Sequence, residues 1–589
     1  MAQSDKIFNF DQEDDFVGKV VYVDTNRQIL DAKSKTLHLA KVGRLIAVKI
    51  HSTSEEWVIA FVERVVKNVS SSPLLNREDT SEDGQLTEPS ASQLNISNMV
   101  YITAIATYKA QKGIEEHFFS RSIQNIPDID ADAFCIEGDN LERFMKLLSI
   151  KSKSDVSLEI GRYSISDKAR AQLDGNKFFQ RHAAILGSTG SGKSWTVASI
   201  LEKAAELPTV NIIVFDLHGE YNTLQFAKHL RIPGPDELNS IKDSLLFLPY
   251  WLLNSEEIQA MFIDRSEFTA HNQVMMFQKL VGQEKKAFLE SQDKRELLKT
   301  FTIDSPVPYS LSSVIAGLIE LNEEMVQGSR GLKMGDFNGQ FSRLLARLDV
   351  KLTDKRYGFL FQYPESLQLY SSFYKIAQQL LEFRKDEKGI KVIDFSEVPS
   401  EILPVIIGLV ARIIYNIQFW TNEDERQPLA MICDEAHLYL PKVSDTNKNE
   451  RRALENFEKI AKEGRKYGVS LVVVSQRPSD ISETILSQCN NIMALRLSNK
   501  SDQNTIKAFM PDSLSLFADI LPTLDIGETI ILGDAVMLPS RILLDKPRVE
   551  NRPRSATIDF WSEWSKSDKT TDFEKSVENY RKQSRRNEN

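Results

Sequence analysis

Three regimes of hydrophobic patterning follow one another along the chain. In the first, β-branched and apolar residues partly alternate with polar ones at 17–24, 37–42, 45–51 and 57–66, a period near two that predicts the strands of a small barrel or sandwich. Residues 68–97 then become rich in Ser, Asp, Glu and Pro, which predicts a disordered surface loop. Strand character returns at 99–108 and 156–163, on either side of a helical stretch near 140–148. The loop therefore interrupts one β domain, 1–165, rather than dividing two.

From Ala183 the order becomes strand, glycine loop, helix, strand, the alternation of a parallel sheet. Apolar runs at 183–186, 210–215, 391–395, 429–433, 469–475 and 491–497 predict strands buried on both faces. The fold class expected is α/β, with a mostly parallel core sheet over 166–221 and 391–545. Amphipathic stretches at 285–301, 311–326 and 337–352 make 222–390 a helical insertion. In the third regime, 528–532 and 535–538 flank Gly533-Asp534 and predict a hairpin. The polar remainder, 546–589, ends in Arg581, Lys582, Arg585 and Arg586 and reads as a solvated tail, with contact to an acidic partner or a phosphate backbone as the alternative.

Composition narrows the function classes. A length of 589 residues implies roughly four domain-sized units, and 41% apolar with 26% charged residues excludes collagen-like, disulfide-scaffold and globally disordered chains. With 73 Lys+Arg against 83 Asp+Glu, the net charge is -10. No whole-protein basic field attracts nucleic acid, so any DNA contact must be local. Cys135, Cys433 and Cys489 are far apart without CxxC spacing, which argues against structural zinc and disulfides and fits a reducing cytoplasm. The first residues show no export signal. The most apolar run, 402–411, leads into Arg412 and Asn416 and falls short of the ~20 residues that span a bilayer, so a buried helix and no membrane partner are expected.

Gly187-Ser188-Thr189-Gly190-Ser191-Gly192-Lys193-Ser194 matches G-x-x-x-x-G-K-[ST] between an apolar strand and a helix marked by Val197, Ile200, Leu201 and Ala204. Backbone N–H groups of such a loop turn onto phosphate oxygens at the positive end of a helix dipole. Lys193 adds a point charge for the β and γ phosphates of ATP, and Ser194 a hydroxyl for Mg²⁺. The run 428–433 ends in Asp434-Glu435: Asp434 can reach the Mg²⁺ shell, and Glu435 can polarise an attacking water. Gln476, at the end of the apolar run 469–475, is placed to sense the γ-phosphate, while Arg477 faces either DNA or solvent.

Together these residues resemble the HerA branch of the HerA/FtsK P-loop translocases. The resemblance rests on Arg181-His182 before the P-loop, Asp216-Leu217-His218-Gly219-Glu220-Tyr221, Asp434-Glu435-Ala436-His437, and Glu463-Gly464-Arg465-Lys466-Tyr467-Gly468 followed by Ser475-Gln476-Arg477-Pro478, in that order. Leu217 replaces a proline frequent in the family, and 68–97 has no counterpart. The resemblance implies a RecA-like P-loop NTPase core, an N-terminal HAS-like barrel, a C-terminal brace, and a homohexameric ring that hydrolyses ATP between subunits while moving duplex DNA. It further implies a partner nuclease or sirtuin-like effector, in end resection or antiphage defence. Arg465, beyond a C-cap expected at Gly464, is then an arginine finger on the neighbour's γ-phosphate, and Arg181 a second arginine acting across the interface. Glu220 faces either the same site or only its own turn. His182, His218 and His437 lack metal-binding spacing and read as structural or supporting groups. Loops with Arg330 and Lys333, or with Lys442, Lys448, Arg451 and Arg452, either line a DNA pore or face solvent.

Two functions remain open on the sequence alone: a DNA motor that feeds an effector, and an ATPase scaffold that multimerises and regulates one docked on the N-terminal barrel. No LSGGQ-like stretch lies between the P-loop and Asp434, which disfavours a transporter ATPase.

Overall fold

A computed structural model describes residues 7–51, 55–71, 94–109, 118–123, 125–151, 157–164, 168–329, 331–382, 388–445, 448–510, 516–554, 560–566 and 573–583. The chain divides into two compact units, Met1–Asn176 with Met493–Asp545 and Lys177–Ile492 with Lys546–Asn589.

In the first unit the alternating segments close a barrel. β1 (Phe16–Asp24), β2 (Arg27–Ala32), β3 (Leu45–Lys49), β4 (Glu56–Ser71), β5 (Leu94–Lys109), β6 (Phe118–Ser120) and β7 (Asp132–Cys135) pair in the order β2-β1-β7-β3-β4-β5-β6, and β2 also pairs with β5. Six strands thus form a ring without free edges, and β6 lies outside on β5. Val17, Val20, Leu30, Val48, Val58 and Ile102 fill the interior. Two expectations change here. Residues 37–42 are not a strand: Leu37–Leu39 is a 3-10 turn that buries Leu37 and Leu39 in the barrel core, so its apolar spacing served a plug. Of the loop expected over 68–97, residues 68–71 and 94–97 are instead paired ends of β4 and β5; residues 72–93 lie outside the described residues.

Residues 493–545, which the sequence assigns to the ATPase core, fall with this first unit. The reason is a hairpin whose strands, Glu528–Gly533 and Ser540–Leu544, pair antiparallel. The second of them joins β8 (Leu158–Tyr163), which in turn pairs with β9 (Arg170–Leu173). The hairpin's second strand is therefore not 535–538; Ala535, Val536 and Leu538 are buried within its connecting loop.

The second unit is built on a parallel sheet. β10 (Ala183–Leu186), β11 (Ile212–Asp216) and β12 (Ala227–Arg231) precede a block of helices that carries a separate hairpin, β13 (Met325–Gly328) and β14 (Gly331–Met334). β15 (Ile390–Asp394), β16 (Leu429–Cys433) and β17 (Val469–Ser475) follow, and the order is β12-β15-β11-β16-β17-β10. β10, β11, β15, β16 and β17 are buried at every residue, as apolar strands covered on both faces must be. β12 extends the sheet within the stretch read as an insertion. Beyond it the block is helical, with Ala270–Ser291, Leu311–Glu323 and Ser342–Thr353 among its helices.

The apolar run at 402–411 opens the helix Leu403–Trp420. By length and composition this helix could cross a membrane, but 67% of it is buried inside the protein, and Arg412 pairs with Glu257 at 2.7 Å. It packs on the helix Lys448–Glu463. That second helix does not stop at a left-handed Gly464. A 3-10 turn, Gly464–Tyr467, continues it, and Gly468 takes the left-handed cap at φ 70°. Gly464 is needed for space instead, since a Cβ there would lie 2.6 Å from the Val469 carbonyl oxygen.

Candidate active site

Strands that run parallel deliver the segments after their carboxyl ends to one edge of a sheet. Leu186 pairs with Ser475 and Phe215 with Cys433, so the P-loop, Gln476, Asp434-Glu435 and the 217–221 turn emerge side by side. The Gly187 N–H donates to the Ser475 carbonyl at 3.2 Å and anchors the loop to β17.

The loop's shape depends on its glycines. Gly190 and Gly192 have φ of 73° and 106°; a Cβ on Gly190 would meet nothing within 4 Å, so that glycine is required by conformation alone. The helix Lys193–Ala204 then starts with Val197, Ile200, Leu201 and Ala204 buried against the sheet. Among the described residues the buried Ser191 hydroxyl has no hydrogen-bond partner, an arrangement that costs free energy unless a ligand completes it. Lys193 is buried with its Nζ 3.2 Å from the Ser188 carbonyl. Burial lowers its pKa, opposed by Glu435, Asp434 and Glu220.

Carboxylates crowd this lysine. Asp434 is buried and its pKa is raised well above the ordinary carboxylate range, first by burial and then by Glu435, Asp216 and Glu220. Glu435 is raised by burial and drawn back by Lys193. Its backbone is left-handed at φ 45° and ψ 41°, a conformation that costs a non-glycine residue about 1–3 kcal/mol and that clusters at functional sites. His437 Nδ1 lies 3.3 Å from both Glu435 Oε2 and the Ser475 hydroxyl, but among the described residues Glu435 Oε2 is buried without a hydrogen bond. The Thr189 hydroxyl donates to Gln476 Oε1, which joins the P-loop to the end of β17.

These groups fit a magnesium–nucleotide complex. The positive-φ glycines and the unpartnered Ser191 hydroxyl suit phosphate oxygens, and Ser194 with buried Asp434 supplies the few oxygen ligands that Mg²⁺ takes beside water and phosphate.

Glu220 is also in this site: the Ser194 hydroxyl donates to its Oε2 at 2.9 Å. Asp216 builds the turn that carries it, accepting the N–H groups of His218 at 3.2 Å, Gly219 at 2.8 Å, Glu220 at 3.1 Å and Tyr221 at 3.0 Å. Burial, opposed by these bonds, raises the Asp216 pKa to about 6. Sequence reasoning left Glu220 undecided and missed the turn's architect, although an Asp followed by small and polar residues at a strand end is an Asx-turn signal. Residues 546–554, expected as part of a C-terminal brace or tail, also contact these elements. Asn551 Nδ2 donates to Glu202 at 2.8 Å, Arg554 N–H to the Glu220 carbonyl at 2.9 Å, and the Arg552 guanidinium lies over the Trp195 ring at 5.1 Å.

Two expected residues are not gathered here. Arg181 precedes β10 and Arg465 precedes β17, at the amino ends of adjacent parallel strands. At ~3.3 Å per residue, the seven residues of β17 put Arg465 on the order of 20 Å from Gln476. Arg465 is exposed. Among the expected DNA contacts, Lys333 is exposed on β14, Lys442 lies 3.8 Å from Glu483, and Arg451 and Arg452 pair with Glu455 at 3.7 Å and 2.8 Å. Arg477 is exposed, 3.7 Å from Asp480. Arg330 and the side chain of Lys448 lie outside the described residues.

The family model for the central domain of helicase HerA matches residues 158–414, and that for the HerA-like helicase C-terminal region matches 418–535. Over 428 residues the chain is 27% identical to the DNA double-strand break repair helicase HerA of Saccharolobus solfataricus, covering 72% of this chain and 74% of that one. It is 25% identical over 376 residues to a probable helicase of Methanocaldococcus jannaschii, covering 63% of each. With the Pyrococcus furiosus DNA double-strand break repair helicase HerA it shares 25% identity over 395 residues, 62% of this chain and 65% of the other. The chain thus spans slightly under two thirds of the length of the last two. Among solved structures, VirB4 of Thermoanaerobacter pseudethanolicus aligns at 14% identity and a TM-score of 0.46, covering 68% of this chain and 98% of that one. The plasmid coupling protein TrwB in complex with ADP and Mg²⁺ aligns at 15% and 0.43, covering 69% and 93%.

Proposed function

This chain belongs to the HerA helicase family, and on that premise we propose that it is an ATP-hydrolysing motor that moves along duplex DNA as a ring of six copies. The observation that carries hydrolysis, rather than nucleotide binding alone, is Glu435. Its left-handed backbone holds a carboxylate of raised pKa beside Lys193, the disposition of a group that orients water and takes its proton. Gln476, bonded to Thr189 of the P-loop, senses the γ-phosphate. The phosphates rest on Gly187 to Lys193, with Ser194 and Asp434 at the metal; Mg²⁺ supplies charge neutralisation on the transferred group.

Arg465 and Arg181, at the sheet edge away from their own P-loop, favour a shared site. Each acts on the nucleotide of the next copy, where a guanidinium stabilises charge that develops during phosphoryl transfer. The net charge of -10 leaves DNA binding to local basic loops, multiplied by the ring. The motor works in the cytoplasm with a nuclease or a sirtuin-like effector seated on the N-terminal barrel, in antiphage defence.

The test is ATP turnover of the full chain with and without duplex DNA. DNA should stimulate turnover, and Lys193→Ala or Glu435→Gln should lower it by at least ~100-fold. Wild-type turnover that ignores DNA in the assembled oligomer would remove the motor reading.

A further inference from the structure

The Glu220 carboxylate has a role that the P-loop, Asp434 and Glu435 do not account for. It accepts the Ser194 hydroxyl at 2.9 Å, the same hydroxyl that a P-loop serine gives to a metal ion. A carboxylate serving only its turn would bond to nearby backbone N–H groups, but Asp216 already takes those of residues 218 to 221. Glu220 is released from that task and held over Ser194.

Its placement is rigid. Gly219 turns the chain at φ 71°, Tyr221 is fully buried, and the Glu220 carbonyl accepts the Arg554 N–H at 2.9 Å. Thr223, three residues on, donates its hydroxyl to the Arg552 carbonyl at 2.8 Å.

We propose that Glu220 is a positioning residue of the metal site. In the loaded site its carboxylate would accept a hydrogen bond from a water of the Mg²⁺ shell, beside the Ser194 hydroxyl that it contacts here. The proposal rests on the nucleotide reading of the P-loop and adds to it a determinant of metal affinity. Because residues 552–554 hold the same turn, that affinity also depends on the C-terminal segment.

The experiment compares wild-type and Glu220→Gln full-length protein by equilibrium binding of a fluorescent ATP analogue, titrated with Mg²⁺ and repeated in EDTA, with no turnover measured. Glu220→Gln should raise the Mg²⁺ concentration at half effect by ~10-fold or more, and leave affinity in EDTA unchanged or tighter. An unchanged Mg²⁺ dependence overturns the proposal. So does an equal loss of affinity with and without Mg²⁺, which marks a structural role. Absence of nucleotide binding in the wild type would instead strike the P-loop reading itself. If Glu220→Gln fails to fold by thermal unfolding, Glu220→Asp carries the test, with a smaller shift of the same sign expected and no shift overturning the proposal.

Discussion

At the scale of single residues, His182 shows how a group next to the chemistry can be purely structural. It is buried at φ 52°. Its Nδ1 accepts the Leu471 N–H at 2.9 Å, and its Nε2 meets the Ala461 carbonyl at 3.1 Å, so the neutral ring ties the start of β10 to β17 and the preceding helix. Burial lowers its pKa to about 4, opposed by the Ala461 bond and aided by Arg465. The folded value lies below the ordinary 6.5, so the stabilisation is present above pH 6.5 and is lost as pH falls towards 4. Asparagine tolerates the left-handed backbone; His182→Asn should destabilise the protein at pH 7, and its deficit relative to wild type should shrink by about 2 kcal/mol at pH 5. Urea denaturation at the two pH values measures this, and a deficit independent of pH would refute it. The P-loop and Asp434-Glu435 were legible in sequence because each is a contiguous stretch with its own geometry. Glu220 was not, because its partner Ser194 is 26 residues away and only the folded sheet brings the two together.

At the scale of elements, legibility followed burial. The strands covered on both faces were found to within about two residues at their starts, because a short continuous apolar run between turn residues seldom suits any element but a doubly covered strand. β12, at the sheet's edge, carries only Ala227 and Leu230 as buried residues and gave no such signal. The apolar residues at 37–42 and 535–538 deceived in the opposite direction, since a turn buried under a barrel or hairpin needs the same residues as a strand. Helix packing was likewise unreadable. Gly408 sits in the most apolar helix because a Cβ there would lie 2.9 Å from the Ala453 Cα and 3.0 Å from its Cβ, so the two helices meet at their backbones. Gly408→Ala should therefore cost about 1–3 kcal/mol, although alanine favours a helix over glycine by ~1 kcal/mol. Adding Ala453→Gly should recover part of the loss. Thermal unfolding of the single and double variants decides it: an additive double variant would mean that the crossing does not set the need for glycine.

At the scale of the whole molecule, the decisive fact is the polarity of the parallel sheet. One edge of it carries Lys193, Asp434, Glu435 and Gln476, and the amino ends of β10 and β17 carry Arg181 and Arg465 on the other. No rotation of an arginine side chain covers ~20 Å, so if these guanidinium groups serve phosphoryl transfer they do so on another copy. Head-to-tail contacts close into a ring where their rotation closes, and on the proposed shared site each seam would need Glu435 from one chain and Arg465 from the next. Arg465→Ala and Glu435→Gln proteins should each be nearly inactive as pure assemblies. Unfolded or dissociated together and reassembled in equal amounts, they should regain ATP turnover, because roughly a quarter of randomly formed seams pair an intact Glu435 with an intact Arg465. Chains mixed without exchange should stay inactive, which excludes an additive effect of the preparations. Exchange shown by mass measurement but without recovered turnover would mean that Arg465 serves its own chain or only its own fold, and the shared-site arrangement would have to be given up.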